Sequence, residues 1–583
     1  MHELKGLSDE DSWCLFERIA FNQGSKQVDD ALVVVGKNIV KKCANVPLSI
    51  RVIGSMLYDQ DKSKWLSFQE IDLAKIRQGE DGIMQILKFS YYHLTRELKT
   101  CFSYCALFPK DYEIRKEFLI NLWLAEGCLE CPKKIRNEED VGEEYFSILL
   151  QRCFFQDMVM DEHGEIYSVK MHDLIHDLTQ VVAGKESCLV MDTSTSHLNK
   201  KIHHVSVAVR HSLLPCAGDT LGKMRIMRTL LQLQRPGFDD EVFCESDVAI
   251  ILANCRHLRV LDLSRLHIRS LGNSLNNLLH LRYLDLSFNR DLERLPKSIS
   301  KLYNLQVLKL KYCVQLKELP EDLRELVNLR HLDISGCDAL THMPAGMGSL
   351  INLNTLSTFV LGGGSSNQVH IGQLRELMPL NNLRGELKIQ FRESYSYDAT
   401  NAEEGSYLLS KKHIKALVIK GAKYETPIVL DERLLEVLQP HHDLILIKIY
   451  GYKSIRLPGW VAAIAANLPR LVRICLERFE RLQHLPQLSQ LQHLKILQLD
   501  NMPGVEYMED DKGNIPCFPL LEELILWNFP KLKGWWRPEV GVETDGVIPG
   551  LHKLTIFGCP NLTSFPGIPH VKEKRANKFN PYW

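Results

Sequence analysis

The 583-residue sequence has no glycine-rich G-x-x-x-x-G-K-[ST] segment, so it carries no phosphate cradle of the P-loop kind. No G-x-S-x-G turn or comparable nucleophile arrangement occurs either. The chain therefore reads as something other than an enzyme. It has no excess of one charge: 71 Lys and Arg stand against 72 Asp and Glu, for a formal net charge of -1. That removes the bulk electrostatic footprint of a general nucleic-acid or anionic-membrane binder. Long hydrophobic runs are missing as well. The longest are residues 31–35 and 461–466, against the ~20 apolar residues that span a bilayer. The first residues show no basic stretch followed by an apolar one, so they do not read as a secretory signal. The 16 cysteines are scattered along the chain rather than paired at framework spacings, as expected of reduced thiols in the cytoplasm. Ordinary proportions of hydrophobic (45%) and charged (25%) residues exclude disorder as the main theme.

What is present is a repeat. Leu258-Arg-Val-Leu261-Asp-Leu263 has the form L-x-x-L-x-L, and the form returns at Leu281, Leu305, Leu329 and loosely Leu353, spaced 23, 24, 24 and 24 residues apart. Further copies start at Arg384, Ile414, Leu444, Leu471, Leu494, Leu521 and Leu551, at looser spacings of 23 to 31 residues. Eight residues into a copy stands Asn289, Cys313, Cys337 or Cys559, and seven further on Pro296, Pro320, Pro344 or Pro566, with Pro486 at the same offset. Two offsets recurring together make this the leucine-rich-repeat pattern. The leucines alternate across a short strand and face the core. The Asn or thiol is placed to satisfy backbone groups at the turn, and the proline keeps the convex segment out of strand pairing. No copy buries its leucines alone, so the array is expected to fold as a stacked solenoid. The variable positions of each copy, namely Arg259, Asp262, Arg282, Tyr283, Asp285, Gln306, Lys309, Lys311, Arg330, His331 and Asp333, are expected in exposed rows on its concave face. Residues 361–368, 393–406 and 510–514 read as insertions, and those after Pro569 as a polar tail.

The first 190 residues show no repeat. Ser8 before Trp13, Leu15, Phe16 and Ile19 reads as a capped amphipathic helix, with further helices to about residue 153. Residues 154–159 and 166–170 read as a hairpin, which with the preceding helices predicts a winged helix over about 95–190. Four features there bear on chemistry. His172 and His176 stand at i and i+4, a zinc-ligand spacing with no third ligand in sight. Cys128 and Cys131 form a lone C-x-x-C without a second pair. The acidic run at residues 138–144 sits where a helix would start, which the helix dipole favours. The helix at residues 115–127 is too apolar to read DNA.

Four segments, in order, resemble plant intracellular disease-resistance proteins of the nucleotide-binding, leucine-rich-repeat type, coiled-coil subclass. Leu7-Ser-Asp-Glu-Asp-Ser-Trp13-Cys-Leu-Phe16 resembles the segment that opens the family's helical subdomain. Asn45-Val-Pro47-Leu-Ser49 resembles its G-L-P-L-A motif, with Asn45 and Ser49 departing from it. Residues 101–111 resemble its winged-helix entry motif, and Met171-His172-Asp173 its M-H-D motif. The resemblance implies a multidomain α and α/β chain: a helical (ARC-type) subdomain of the nucleotide-binding switch at residues 1–94, a winged-helix subdomain at 95–190, a connector with an irregular first repeat at 191–257, the repeat solenoid at 258–570 and a polar tail at 571–583. It implies an ADP/ATP switch in which Pro47 packs on the adenine and His172 faces the β-phosphate in the resting state. The coiled coil, P-loop lysine and metal-binding aspartate are expected before residue 1, so the chain reads as a truncated product or a fragment. Nucleotide binding by these residues alone is therefore expected to be weak or absent. The implied partners are a pathogen effector or a guarded host protein on the concave face, or a full-length receptor; DNA and a membrane span are not implied. The implied location is the cytoplasm. A degenerate, non-signalling product, or a regulatory module acting with a full-length partner, is the alternative.

Overall fold

The computed structural model describes residues 6–21, 30–70, 80–130, 137–161, 164–191, 201–208, 217–233, 244–362, 371–392, 406–421, 430–509, 518–537 and 547–576. It divides into two compact units. One holds Met1–Leu263 with His280–Leu284; the other holds Ser264–Leu279 with Asp285–Trp583.

The first unit opens on five helices: α1 (Asp9–Ala20), α2 (Asp30–Lys42), α3 (Pro47–Leu57), α4 (Lys62–Glu70) and α5 (Glu80–Tyr92). Ser8 caps α1 by accepting from the Asp11 amide at 3.0 Å, so the capping read from the sequence is present. α1 packs on α2 and α3. Phe16 is fully buried between them, edge-on to Trp65 at 5.8 Å. Gly36 of α2 lies so close to the Trp13 ring that a Cβ there would stand 2.9 Å from it, so the helix pays the usual glycine penalty in order to approach α1.

The winged helix follows. α6 (Arg96–Tyr104) runs into a 3-10 turn, Cys105–Leu107. β1 (Ile114–Arg115), α7 (Lys116–Glu126), α8 (Glu138–Gln151), β2 (Gln156–Met160), β3 (Ile166–Lys170) and α9 (Asp173–Ala183) complete it, with the three strands antiparallel in the order β1-β3-β2. Gly127, at φ 83°, ends α7 in the left-handed conformation that glycine adopts without steric cost. α7 is buried at every residue from Leu119 to Glu126. It is a core helix, which is incompatible with insertion into a DNA groove. The acidic residues Glu138, Glu139 and Asp140 fill the first turn of α8, where the dipole favours them.

Parallel pairing begins earlier than the first L-x-x-L-x-L. β4 (Ser187–Val190), β5 (His204–Val207), β6 (Thr229–Gln232) and β7 (Val260–Asp262) are consecutive neighbours in one parallel sheet. At β5 the spacing is kept but not the leucines, with Ile202, Val205 and Val207 buried at the three core positions, and at β6 Met227 and Leu230 fill the first two while Gln232 stands at the third.

In the second unit the period read from sequence becomes a ladder. At Leu305, Leu329, Leu353, Leu444, Leu471, Leu494, Leu521 and Leu551 a parallel strand begins two residues after the copy starts. The imperfect copy at Arg384 and the copy at Ile414 form the longest strands, Arg384–Phe391 and His413–Lys420, with a bulge at Gly385/Glu386. The turns use the expected groups. Asn289 is fully buried; its side-chain carbonyl accepts from the Leu266 and Ile268 amides while its amide donates to Leu286. The Cys313 and Cys337 thiols donate to the Leu286 and Leu310 carbonyls. Pro296 and Pro320 each precede a 3-10 turn. Glu573–Ala576, expected in a polar tail, instead pairs with Lys553–Phe557; the rest of the tail and most of each insertion lie outside the described residues.

The concave rows need correction. Asp262, Tyr283 and His331 are buried, at 4%, 0% and 5% exposure. These positions sit within the strand ladder and pack on their own neighbours, as in the 2.9 Å hydrogen bond between the His331 ring and the Thr355 hydroxyl. In the first unit the Phe118 ring of α7 also lies against Tyr283.

Leu308 is fully buried and Val327, on the same array, is 52% exposed. Leu308→Ala is therefore expected to cost roughly 2–5 kcal/mol, and Val327→Ala within about 0.5 kcal/mol. Thermal and denaturant unfolding of the two variants checks this; equal small effects would show that the inside–outside phase is wrong.

Candidate functional site

Pro47 is exposed and is the first residue of α3, a position where its missing amide costs nothing. The residues before it make a left-handed turn, with φ 52° at Ala44 and 58° at Asn45. Asn tolerates that conformation better than other non-glycine residues, so Asn45 in place of the motif's glycine keeps the turn. Its side chain is also used. Asn45 Nδ2 donates to Asp9 at 3.0 Å, Ser12 donates to Asn45 Oδ1 at 3.1 Å, and the Leu7 amide donates to its carbonyl at 3.0 Å. The structure thus brings together two of the segments that carry the resemblance, at residues 7–16 and 45–49.

His172 is half-buried and caps α9, its Nδ1 accepting from the Leu174 amide at 3.2 Å. In the neutral ring the proton is then on Nε2, which remains a donor. His176, one turn on, is buried, with Nε2 3.0 Å from the Phe108 carbonyl. The two rings that share zinc-ligand spacing are thus engaged separately, one in a helix cap and one with a backbone carbonyl. Helix α5 packs against both α3 and α9, so Pro47 and His172 are carried by different neighbours of one helix. Cys128 is buried; Cys131 lies outside the described residues.

The 3-10 turn after α6 is where the winged helix is tied to the first parallel strands. A helix leaves its last carbonyls without intrahelical donors. Here Gln180 donates to Ala106 at 2.7 Å, Ser206 of β5 to Leu107 at 2.5 Å, and the His176 ring meets Phe108. The Tyr104 hydroxyl bonds Thr229 of β6 at 2.9 Å, and Thr229 also bonds His204 of β5 at 3.0 Å. Lys110 reaches Asp177 of α9 at 2.7 Å. The entry segment at residues 101–111 thereby contacts α9, β5 and β6.

The feature that sequence reading missed is Glu126, the last residue of α7. Its side chain is 8% exposed. Arg259 Nη1 lies 3.1 Å from its Oε1 and donates to its main-chain carbonyl at 2.6 Å, and Arg228 Nη1 is 3.7 Å from the same Oε1. Burial pushes the Glu126 carboxyl up, and Arg259, Arg228 and Arg282 pull it back only in part. Arg259 and Arg282, expected on a solvated concave row, are instead drawn to the end of α7. The one available signal was a lone glutamate ending an apolar helix.

His204 is held well below the usual imidazole range, at about 3, chiefly by burial and then by His203, Arg228 and Arg259. A base with a depressed folded-state pKa stabilises the fold above its unfolded value of about 6.5 and loses that contribution as pH falls toward the folded value. The first unit is therefore expected to weaken between about pH 6.5 and pH 3. His204→Gln, which retains a partner for Thr229, should flatten that dependence in melting curves taken across the range; an unchanged slope would assign the acid sensitivity elsewhere.

Residues 107–179 match the family model described as the disease resistance protein winged helix domain, and residues 242–561 that of a leucine-rich repeat region. Disease resistance protein RGA2 of Solanum bulbocastanum is 35% identical over 573 residues, covering 96% of this chain and 54% of that protein. RGA1 of the same species is 36% identical over 576 residues, with 98% and 53% covered. RPP13-like protein 1 of Arabidopsis thaliana is 33% identical over 585 residues, with 97% and 54% covered. The chain thus spans about half the length of the curated relatives it matches. Among solved structures, a leucine-rich-repeat protein of Leptospira interrogans is 16% identical with a TM-score of 0.35, over 64% of this chain and 86% of that one.

Proposed function

Since the chain belongs to the plant disease-resistance proteins that join a winged helix to leucine-rich repeats, we propose that it is the sensing and relay portion of an immune receptor. The repeats recognise a pathogen effector or a guarded host protein. The winged helix passes that contact to an ADP/ATP switch. The observation that carries this reading is the set of bonds within the first unit from α6 and α7 to β5, β6 and β7. A displacement of those strands reaches Phe108 and, through α9, His172. Among the described residues no helix is long and apolar enough to cross a membrane, in keeping with action in the cytoplasm.

In this reading Pro47 and His172 serve the nucleotide. The exposed proline at the start of α3 offers a flat apolar face of the kind that packs on adenine. His172 can donate from Nε2 to a phosphate oxygen while Nδ1 stays in the helix cap. A donor that meets the phosphate only in the resting state gives that state extra affinity, which is what a switch requires. Losing one charge-assisted hydrogen bond costs about 1.5–3 kcal/mol, a roughly 10- to 150-fold shift toward the active state.

The test joins residues 1–583 to the nucleotide-binding domain and coiled coil of a relative, with His172→Ala and Asp173→Val introduced separately. Cell death in leaf tissue without an effector is expected from both. Normal resting behaviour, with the protein stably expressed and ADP retained, would leave His172 as a helix cap only. The purified 583-residue chain is further expected to turn over no ATP; hydrolysis that follows the protein through orthogonal purification steps would overturn that expectation.

A further inference from the structure

Five neighbouring strands of the second unit's sheet, Leu446–Tyr450, Arg473–Glu477, Ile496–Asp500, Glu523–Trp527 and Lys553–Phe557, pair in parallel without a register shift. Their last residues are therefore partners in turn: Tyr450, Glu477, Asp500, Trp527 and Phe557. The residue before each, Ile449, Leu476, Leu499, Leu526 or Ile556, is buried. Alternation along a strand then puts the five in one row on the opposite, concave side. At about 4.8 Å per strand the row is about 19 Å long.

Two carboxylates lie side by side in this row. Neither Glu477 nor Asp500 has an ion-pair partner among the described residues, and Arg478, next along the chain, lies 3.8 Å from Glu480. Burial pushes both carboxyls up. Asp500 pushes Glu477 further, and Arg478 and Lys420 pull it back only in part. Like charges directly opposite on paired strands are destabilising, so the fold by itself gains nothing from this pair. A cation seated between them would relieve it.

Beside the carboxylates stands apolar surface that the core does not use. Trp527 is 48% exposed, and its ring lies 4.9 Å from that of Phe557, tilted by 35°. Tyr450 flanks the acidic pair on the other side. Exposed aromatic residues of this kind dominate protein interfaces when a partner covers them.

We propose that this row binds a partner segment that carries arginine next to an apolar residue. The proposal rests on the reading of the repeats as the sensing part of a receptor, and it names the chemistry of what they sense. A guanidinium has five donors in a planar fork, enough to reach both carboxylates. It is weakly hydrated and stacks on aromatic faces, so arginine beside Asp500 is one strand from the Trp527 ring. The lysine ammonium is a compact, strongly hydrated charge with no flat face. An acidic segment would be repelled, and a wholly apolar one would bury the carboxylates without a counter-charge. At about 3.3 Å per residue, an extended chain of about six residues covers the row.

The experiment measures binding of a fluorescent dodecapeptide of alternating arginine and leucine to the whole chain, by anisotropy at two salt concentrations. Control peptides carry lysine, citrulline or glutamate in place of arginine. The arginine peptide is expected to bind, more weakly at higher salt. The lysine peptide should bind several-fold more weakly, and the other two not measurably. Glu477→Gln with Asp500→Asn should weaken the arginine peptide at least tenfold while raising the melting temperature, since a repulsive pair is removed. Trp527→Ala should weaken it several-fold and leave the salt dependence unchanged. Glu321→Gln with Asp322→Asn removes the same charge from an exposed 3-10 turn of the same unit and should leave binding as it was. Equal affinity for the arginine peptide and for the lysine or citrulline peptide, equal losses in the two amide pairs, or no loss in either would each overturn the proposal. The leaf-tissue assay of the joined chain tests the receptor reading separately. A chain that never signals while the peptides behave as expected removes that reading and supports the site; a signalling chain that binds no arginine peptide removes the site.

Discussion

Three carbonyl groups in and just after the 3-10 turn that follows α6 need partners, and the way they obtain them organises the first unit. A turn that ended in solvent would satisfy Ala106, Leu107 and Phe108 with water. Here their surroundings are buried, and an unsatisfied buried carbonyl costs about 1–3 kcal/mol. The partners come from Gln180 and His176 on α9 and Ser206 on β5. Satisfying one helix end therefore fixes α9 on one side and the first parallel strands on the other. Helix α9 in turn begins at His172, so the residue that the family resemblance assigns to the nucleotide is held by the same arrangement.

A second tie, at the end of α7, differs in kind. Hydrogen bonds to buried carbonyls are short-range and directional. The Glu126 contact is ionic, and a carboxylate that is buried while its arginines are partly wet sits close to balance between desolvation and attraction. A contact of that sort contributes little net stability but leaves a strong preference for one charge arrangement. The apolar Phe118–Tyr283 packing beside it supplies the area, and the charges supply the register.

Much of this was legible in the sequence, for identifiable reasons. The repeat announced itself because a solenoid imposes one environment per period, so leucine, asparagine or cysteine, and proline recur at fixed offsets. The capped first helix and the hairpin followed from local chemistry, whereas Asn45 was read only as a departure from a motif and its left-handed turn came from the structure. Strands β5 and β6 were hidden because their core positions carry isoleucine, valine and methionine in place of leucine, at Ile202, Val205, Val207 and Met227. Exposure of the concave row was overread: alternation shows which side chains face the core, but not that Tyr283 meets a ring from α7, nor that His331 is bonded to Thr355. Glu126 was illegible for the same reason. Its partners lie 102 and 133 residues away along the chain, and no periodicity links a helix terminus to a strand of a later segment. His172 was legible only through resemblance, since its local sequence supports a helix cap equally well, and a cap is what the structure contains.

The central claim is that the winged helix and the first repeat strands are joined by a specific charge pairing at Glu126. A double-mutant cycle of Glu126→Arg and Arg259→Glu, read by unfolding free energy together with hydrogen exchange at β6 and β7, tests it most directly. The account predicts that each single variant destabilises and raises exchange, and that the reversed pair regains stability, with a coupling energy of roughly 0.5–3 kcal/mol. Additive losses in the double variant, with exchange at β6 and β7 no better than in the singles, would contradict it.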